Sequence, residues 1–413
     1  MKSAKGSFLS LTLLSVILLL ACSEKQTSGP RTGIWRGAIL AQENEVPFNF
    51  EIDSTSQGYL VAIRNAEEKI SLDEVRVADD SIVVVMHIFD AEIRARIHGD
   101  SMTGWFIKNY ESGYRLPFRA KAGQEFRFTP TATDTVSFAG TWSVVFTNES
   151  DTTQAVGIFR QNGSTVHGTF LTPTGDYRFL EGQVVNGNLL LSVLDGNHVF
   201  LFKAAKTSDK ELQGTWWSGR SWKQDWVARK DPDAKLPDAS TLTGLKPGME
   251  TFPFAFPDQD RNVIRSSDPI FRDKVVIVQI LGTWCPNCMD ETRFLNEWYR
   301  SHREQGVEVV GLAFEAKDEF AYAASRVRKM KEKMNVAYPV LIAGNKDKKK
   351  AAEALPMLEK VVAFPTTVFI GRDGKVKKIH TGFSGPGTLE HYDRFIQEFN
   401  QTVNGLLQEQ SPQ

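Results

Sequence analysis

The chain has 413 residues, which exceeds the usual size of one domain, so we expect more than one folded unit. Its 49 basic and 50 acidic side chains leave a formal net charge of -1, and the two signs are well mixed. This balance argues against a nucleic-acid surface or a polybasic membrane arm. Hydrophobic residues make up 41% of the chain, a share that is ordinary for globular proteins with packed cores.

Residues 1–21 have the pattern of an export signal. Lys2 and Lys5 precede an apolar run over residues 8–20, and small residues follow that run. A basic start, a short apolar stretch and a small-residue end are typical of a signal peptide. The run is too short to cross a membrane comfortably.

The end of this segment, Leu-Leu-Ala-Cys at residues 19–22, resembles the bacterial lipobox, which is cut before its cysteine. The resemblance implies a lipid-modified Cys22 at the mature N-terminus, and several acyl chains on one residue give stable anchoring. Residues 22–32 are then a polar tether. Ser23 after Cys22 resembles the pattern of Gram-negative lipoproteins sent to the outer membrane, which implies a place in the cell envelope facing the periplasm or the exterior. An ordinary signal peptide, or a short anchor, with an incidental cysteine is the alternative.

Residues 33–230 have the pattern of antiparallel β-structure. Stretches such as 46–52 and 92–97 alternate apolar and polar side chains, which is the period of a half-buried strand. Turn signals of the Asn-Gly and Asp-Gly type recur between such stretches, and no long helical pattern interrupts them.

This β-region also contains an internal repeat. A Gly-x-Trp pattern opens each half, at residues 33–35 and 140–142. The period of about 105 residues predicts two tandem antiparallel barrels or sandwiches, over residues 33–130 and 131–230. One continuous β-unit is the alternative. Tryptophans in this pattern favour core positions over the mouth of a ligand site.

The pattern changes after residue 230. Residues 231–248 contain Asp-Pro, Leu-Pro and Lys-Pro-Gly and are predicted to form a linker. Strands and helices alternate from 249 to 413, as in an α/β fold. The predicted elements are a buried strand at 275–281, a helix at about 286–304, a strand at 307–313, a helix at 318–334, a strand at 340–342, a hairpin of 366–370 with 376–380, and a last helix with Thr388 at its N-cap.

The sequence Trp-Cys-Pro-Asn-Cys at residues 284–288 lies where the first buried strand ends and a helix begins. Helical N–H groups and the helix dipole stabilise a thiolate there and lower its pKa. We therefore expect Cys285 to be the exposed, attacking nucleophile. Cys288 lies one turn further along the helix and is expected to resolve the mixed disulfide. Pro286 suits the first helical turn, which does not need its missing N–H.

Glu291 lies on the same helical face as Cys288, and this face must cover the sheet. A buried carboxyl has a raised pKa and can exchange protons near neutral pH. We therefore expect Glu291 to deprotonate Cys288 when the mixed disulfide is resolved. From spacing alone, a solvated surface glutamate is the alternative.

The segments around this motif resemble the TlpA/ResA-like thiol–disulfide oxidoreductases, which have a thioredoxin-like fold. The resemblance covers about residues 245–407 and is carried by segments 274–291, 364–374 and 381–385. One departure is Arg293, which stands where the family often has a helix-kinking proline.

The resemblance implies roles for individual residues. Pro365 is expected to be cis and to face the redox pair, and the backbone of Phe364 is expected to pair with a bound substrate strand. Glu291 is expected to be the family's buried acid, because the strand that carries an aspartate in thioredoxin itself has Gln279 here. The substrate-binding residues that we predict are Trp284, Pro286, Asn287, Phe364 and Pro365.

Other polar residues are given a structural interpretation. A zinc site needs about four ligands, whereas the chain has one close cysteine pair and distant histidines, so neither a metal nor a cofactor is expected. The lysines over 346–350 are expected to be solvated, and His380 and His391 are expected to lie on the surface.

Two classes of function are open at this point. The first is a membrane-anchored thiol–disulfide oxidoreductase that reduces disulfides of exported proteins and receives electrons from a membrane thiol-relay protein, because an exported compartment is oxidising. The second is an envelope lipoprotein that binds a ligand or protein through its β-repeats and carries an accessory redox domain. A peroxiredoxin-like peroxide reductase is a further alternative. Nucleic acid is not an expected partner.

Overall fold

The computed structural model describes residues 29–129 and 136–409. The export signal, the lipobox and Cys22 therefore lie outside the described residues. Within the described ranges, no helix is both long enough and apolar enough to cross a membrane.

The first β-unit is a nine-stranded antiparallel sheet. Its strands are β1 Gly33–Ala41, β2 Asn44–Thr55, β3 Gly58–Asn65, β4 Glu68–Leu72, β5 Val75–Ala78, β6 Ser81–Val85, β7 Ala91–His98, β8 Ser101–Lys108 and β9 Arg115–Ala122. Their order is β4-β3-β2-β1-β9-β8-β7-β6-β5. Strand β9 alternates exposed and buried residues, as expected when one face of a sheet covers a core.

The second β-unit is also a nine-stranded antiparallel sheet, and this sheet closes into a barrel. Its strands are β10 Gly140–Thr147, β11 Thr152–Asn162, β12 Thr165–Thr172, β13 Gly175–Asp176, β14 Leu180–Val185, β15 Asn188–Leu194, β16 Val199–Ser208, β17 Glu211–Ser218 and β18 Trp222–Lys230. The order is β11-β10-β18-β17-β16-β15-β14-β12-β13, and pairing of β11 with β12 closes the sheet. The predicted all-β region with two barrel-like repeats is confirmed.

The tryptophans of the repeat behave differently from one another. Trp35 and Trp142 are fully buried, as the core interpretation predicts. Trp105 is 41% exposed, and the Arg115 guanidinium lies 4.8 Å from its ring centre. The tryptophan at the start of each repeat thus fills a core, whereas Trp105, late in the first repeat, lies at the surface.

The C-terminal unit has a five-stranded sheet with helices packed on it. Its strands are β21 Val275–Leu281, β22 Val307–Glu315, β23 Val340–Asn345, β24 Thr366–Ile370 and β25 Val376–Thr381, after a short hairpin of β19 Ala255–Pro257 and β20 Val263–Arg265. Its helices are α1 Pro286–His302, α2 Phe320–Met334, α3 Lys348–Ala354 and α4 Glu390–Gln408. The order β23-β22-β21-β24-β25, with β24 antiparallel to β21, is that of a thioredoxin-like fold.

Two details differ from the sequence-based expectations. Helix α4 begins at Glu390, with Leu389 at its N-cap, because the Thr388 hydroxyl donates instead to the Gly385 carbonyl at 2.7 Å. The predicted linker is also partly built into the C-terminal unit. The Thr243 hydroxyl donates to the Lys360 carbonyl at 2.7 Å, so the end of the linker lies against the fold that it introduces.

The three units pack tightly against one another. Buried apolar residues of the first sheet and of the C-terminal unit form one continuous core, whereas the barrel interior is a separate core. Polar contacts reinforce this packing: the Lys333 ammonium lies 2.8 Å from the Asp73 carboxylate, and the Tyr322 hydroxyl donates to Asp90 at 3.0 Å. This packing brings both β-units to the start of α1.

Candidate redox site

The two cysteines lie at the junction of β21 and α1. Cys285 is the N-cap residue of the helix, and its sulfur accepts a hydrogen bond from the Cys288 backbone N–H at 3.2 Å. The two residues form a disulfide, with their Cα atoms 5.2 Å apart. Pro286 occupies the first helical turn, as predicted. A thiolate at this N-terminus would be stabilised by helical N–H groups and by the helix dipole.

The prediction that Cys285 is exposed is wrong for this structure. Cys285 is 6% exposed and Cys288 is fully buried. Met289, one residue further along α1, is only 4% exposed. The physical reason is that the second β-unit covers the start of α1, which spacing within the C-terminal unit alone does not reveal.

The loop before β24 faces the cysteine pair. The Phe364–Pro365 peptide bond is cis, as the resemblance implies. The Cys285 sulfur lies 3.4 Å from the Phe364 carbonyl oxygen, and the rings of Trp284 and Phe364 meet edge to face at 5.6 Å. Four of the residues that we expected around a substrate, Trp284, Pro286, Phe364 and Pro365, thus lie around the redox pair.

Glu291 is fully buried and belongs to a hydrogen-bond network behind Cys288. Its carboxyl accepts from the Gln279 amide at 2.9 Å and from the Thr367 hydroxyl at 2.7 Å. The same Gln279 amide donates to the Cys288 carbonyl at 3.3 Å. Gln279 is itself oriented by the Tyr338 hydroxyl, which donates to its oxygen at 3.2 Å.

This environment sets the proton affinity of the carboxyl. Burial raises the pKa of Glu291 to about 7, and the bonds from Thr367 and Gln279 oppose that rise only in part. Both donors are neutral, so they offset little of the cost of desolvating a negative charge. The alternative that Glu291 is a solvated surface residue is therefore wrong. The Glu291 carboxyl can gain or lose a proton near neutral pH.

A second buried acid supports the residues before the motif. Glu315 accepts hydrogen bonds from the Thr283 backbone N–H at 3.0 Å and from the Thr283 hydroxyl at 2.8 Å. Burial raises the pKa of Glu315. Glu315 is not among the residues predicted from the sequence, because its only local signal is an acid at the end of an apolar strand.

The second β-unit bonds directly to the backbone of the motif. The Asn197 amide donates to the Trp284 carbonyl at 2.9 Å, and the Arg178 guanidinium donates to the Pro286 carbonyl at 3.2 Å. The Asn287 amide in turn donates to the Asp176 carbonyl at 3.1 Å. We expected Asn287 to border a substrate, but its amide is hydrogen-bonded to the second β-unit.

Two surface assignments need correction. The Lys346 ammonium lies 5.4 Å from the Trp284 ring centre, and burial lowers the pKa of Lys346, so this lysine is not fully solvated. His380 is partly buried, and burial together with Lys378 lowers its pKa to about 4. No group of three or more His, Cys, Asp or Glu side chains within the described ranges is arranged to hold a metal ion.

A thioredoxin-like sheet, a cysteine pair at the start of a helix, a facing cis-proline and a buried acid define a class of protein, the thioredoxin-fold dithiol oxidoreductases. Comparison with known proteins agrees. Residues 232–396 match the model of the Redoxin family. Thiol-disulfide oxidoreductase ResA of Geobacillus thermodenitrificans is 29% identical over 140 residues, which are 34% of this chain and 72% of that protein.

ResA of Bacillus subtilis is 25% identical over 152 residues, which are 37% of this chain and 76% of that protein. Among solved structures, a thiol:disulfide interchange protein from Chlorobium tepidum is 18% identical, with a TM-score of 0.30, and covers 42% of this chain and 99% of its own. The C-terminal unit is thus similar to the TlpA/ResA-like thiol–disulfide oxidoreductases, and the protein is a thiol–disulfide oxidoreductase.

The raised pKa of Glu291 predicts how stability depends on pH. The folded state holds this proton more tightly than the unfolded chain, so the associated stability is fully present below about pH 4 and is lost as pH rises through about 7. Relative to Glu291→Gln, the wild type should lose about 3 kcal/mol of unfolding free energy between these limits.

Urea unfolding of the oxidised protein at pH 5 and pH 8 measures this difference. Glu297→Gln, at an exposed position of the same helix, is the matched control and should show no such change. A difference between wild type and Glu291→Gln that is independent of pH would show that the carboxyl does not titrate in this range.

Proposed function

We propose that this protein reduces disulfides of exported proteins from a lipid anchor at Cys22, with Cys285 as the attacking thiol and Cys288 as the resolving thiol. The observation that carries the proposal is the position of Cys285 at the N-terminus of α1, opposite Phe364 and Pro365. A thiolate is favoured at that position. The Glu291 network lies behind Cys288 and can take up the proton of the second thiol.

The proposed reaction has two exchange steps. The Cys285 thiolate attacks one sulfur of the substrate disulfide, so that a mixed disulfide forms and the other substrate sulfur leaves as a thiolate and takes a proton. Cys288 then loses its proton to Glu291, and its thiolate attacks the Cys285 sulfur. The second substrate thiol is released, the substrate has gained two electrons, and the enzyme is left with the Cys285–Cys288 disulfide.

The enzyme must then be reduced again. An exported compartment does not keep thiols reduced, so we propose a membrane thiol-relay protein as the donor of two electrons and two protons. A lipid-anchored protein in the bacterial envelope, facing the periplasm or the exterior, is suited to meet such a donor. Ser23 after Cys22 favours the outer membrane.

The alternatives receive less support. A binding lipoprotein with an accessory redox domain would not need its second β-unit to bond to the Trp284 and Pro286 carbonyls of the redox motif. A peroxide reductase uses a cysteine that attacks peroxide. Here both cysteines are joined at the start of one helix, an arrangement suited to disulfide exchange.

The unequal roles of the cysteines can be tested by trapping. In full-length Cys288→Ala, Cys285 should attack insulin, and the mixed disulfide should accumulate because no second thiol resolves it. Cys285→Ala should form no such adduct and should lose insulin reduction. Non-reducing gels with mass spectrometry of the adduct measure both results. Adducts at Cys288 in the Cys285→Ala protein, in comparable yield, would reverse the assignment.

The role of Glu291 predicts a pH profile for the second step. Its carboxylate form is the base, so release of the second substrate thiol should accelerate as pH rises through about 7. Glu291→Gln should slow this step at least about tenfold at pH 8 and should keep only the pH dependence of the thiol. Rapid acid quenching of single turnovers measures the step, with Glu297→Gln as the control. Equal profiles in wild type and Glu291→Gln would exclude the proposed base.

The lipid anchor predicts an independent result. In a bacterial host, the wild-type chain should incorporate labelled palmitate and sediment with membranes, because several acyl chains hold it there. Cys22→Ser should lose the label and the membrane association. Membrane-bound, unlabelled wild-type protein would contradict lipidation and point to an uncleaved N-terminal anchor.

A further inference from the structure

Two segments of the second β-unit cover the redox motif, and we call residues 173–178 and 195–198 together the lid. The first segment lies along the loop of residues 382–387 that follows β25. The Asp176 carboxylate accepts from the Gly385 backbone N–H at 2.7 Å. The Gly382 backbone N–H, in the same loop, donates to the Pro365 carbonyl at 2.9 Å. The lid therefore lies beside both the cysteine pair and the facing proline.

The fit between the lid and the C-terminal unit is close. A Cβ atom placed on Gly382 would lie 3.0 Å from the Pro173 carbonyl oxygen. A Cβ atom placed on Gly175 would lie 2.8 Å from the Asn287 amide nitrogen. Even one added carbon would meet its neighbour at both places, so no polypeptide strand fits between these surfaces.

The second lid segment is a loop held from both sides. Asn197 donates to the Trp284 carbonyl at 2.9 Å and accepts from the Tyr110 hydroxyl of the first β-unit at 2.8 Å. Asp195 is buried, which by itself raises its pKa, but His198 and the Arg178 guanidinium outweigh burial and lower that pKa to about 2. The loop thus carries a fixed negative charge near Arg178.

Arg178 joins all three units at one point. Its guanidinium is ion-paired with Glu68 of the first β-unit and with Asp290 of α1, and it donates to the Pro286 carbonyl at 3.2 Å. The Arg178 side chain is 7% exposed, and those of Glu68 and Asp290 are 12% and 6% exposed. Removing the guanidinium would leave the Glu68 carboxylate without a cation and the Asp290 carboxylate with only the exposed Arg293, 3.1 Å away. The loss of this buried ion pair disfavours the closed arrangement.

A space is left beside the motif. A cavity of about 430 Å³ lies between the first β-unit, the lid and the start of α1. Arg178, Pro286 and Met289 border it, whereas Cys285 does not. Its volume is in the range that accommodates small molecules. A folded protein does not fit there while the lid is closed.

We propose that the second β-unit selects the disulfides that reach Cys285 by their size, and that Arg178 is the positioning residue that fastens this lid. The proposal rests on the proposed disulfide reductase function and adds a substrate filter to it. Small disulfides reach Cys285 from the cavity beside Pro286 after only a local displacement of the lid. Disulfides held in proteins react only with the fraction of molecules whose lid is open, so their apparent rate is reduced by that fraction.

The test compares a small and a protein disulfide in the full chain. Pre-reduced wild type, Arg178→Ala and Arg178→Lys are mixed with oxidised glutathione or with insulin, and single-turnover rates are followed by acid quenching and thiol labelling. Arg178→Ala should raise the ratio of the insulin rate to the glutathione rate at least about tenfold, because the open fraction increases. Arg178→Lys keeps one charge and should fall between the two.

The matched control is Arg160→Ala. Arg160 also pairs with the first β-unit, through Glu67 at 2.8 Å, but its side chain is 51% exposed. An exposed pair contributes little, so the ratio should stay within about twofold of wild type. Asn197→Ala loses the hydrogen bond to the Trp284 carbonyl but leaves the ion pairs of Arg178 in place, and it should also raise the ratio. If Arg178→Ala does not fold, Asn197→Ala tests the lid in its place.

The possible outcomes are distinct. A ratio that rises in Arg178→Ala or Asn197→Ala and not in Arg160→Ala supports the lid. An unchanged ratio in both folded lid variants overturns the lid and leaves the reductase function intact. Wild-type protein that reduces neither substrate overturns the proposed function and the lid with it.

Discussion

The chemistry that we propose depends on a carboxyl group that is buried without a cation to balance it. Glu291 lies under the start of α1, and its two hydrogen-bond donors, Gln279 and Thr367, are neutral. Such a group is costly to ionise, and its pKa rises to about 7 as a result. Gln279 offsets part of this cost, because its amide donates hydrogen bonds to the Glu291 carboxyl and to the Cys288 carbonyl. This cost is thereby linked to the proton acceptor that we propose for Cys288.

The second constraint is the packing of three units around one helix terminus. A cysteine pair that faced solvent would react with any disulfide that reached it. Here the barrel covers the pair, and Arg178 neutralises carboxylates from the other two units where they meet. The β-region therefore contacts the redox motif directly. The selectivity that we propose follows from this packing rather than from the motif.

The sequence predicted the parts of the site that local spacing defines. The positions of the cysteine pair, Pro286 and the inward face of α1 with Glu291 follow from a strand-to-helix junction, and the family resemblance added Pro365. Neither local spacing nor the resemblance predicted that Cys285 is buried. The contacts responsible join residues far apart in the chain: Asn197 and Trp284 are separated by 87 positions, and Arg178 and Asp290 by 112. Such pairs leave no periodic signal in one sequence, since they depend on how separately folded units pack.

The most direct test of this account is the reduction potential of the Cys285–Cys288 pair in the full-length protein. Equilibration in thiol–disulfide buffers, followed by acid quenching, alkylation and mass analysis, measures it. The account predicts one reversible two-electron couple between about -270 and -120 mV, the span of exchange-active pairs on this fold. A potential below about -300 mV, or a pair that does not return to the dithiol form, is typical of a structural disulfide and would contradict it.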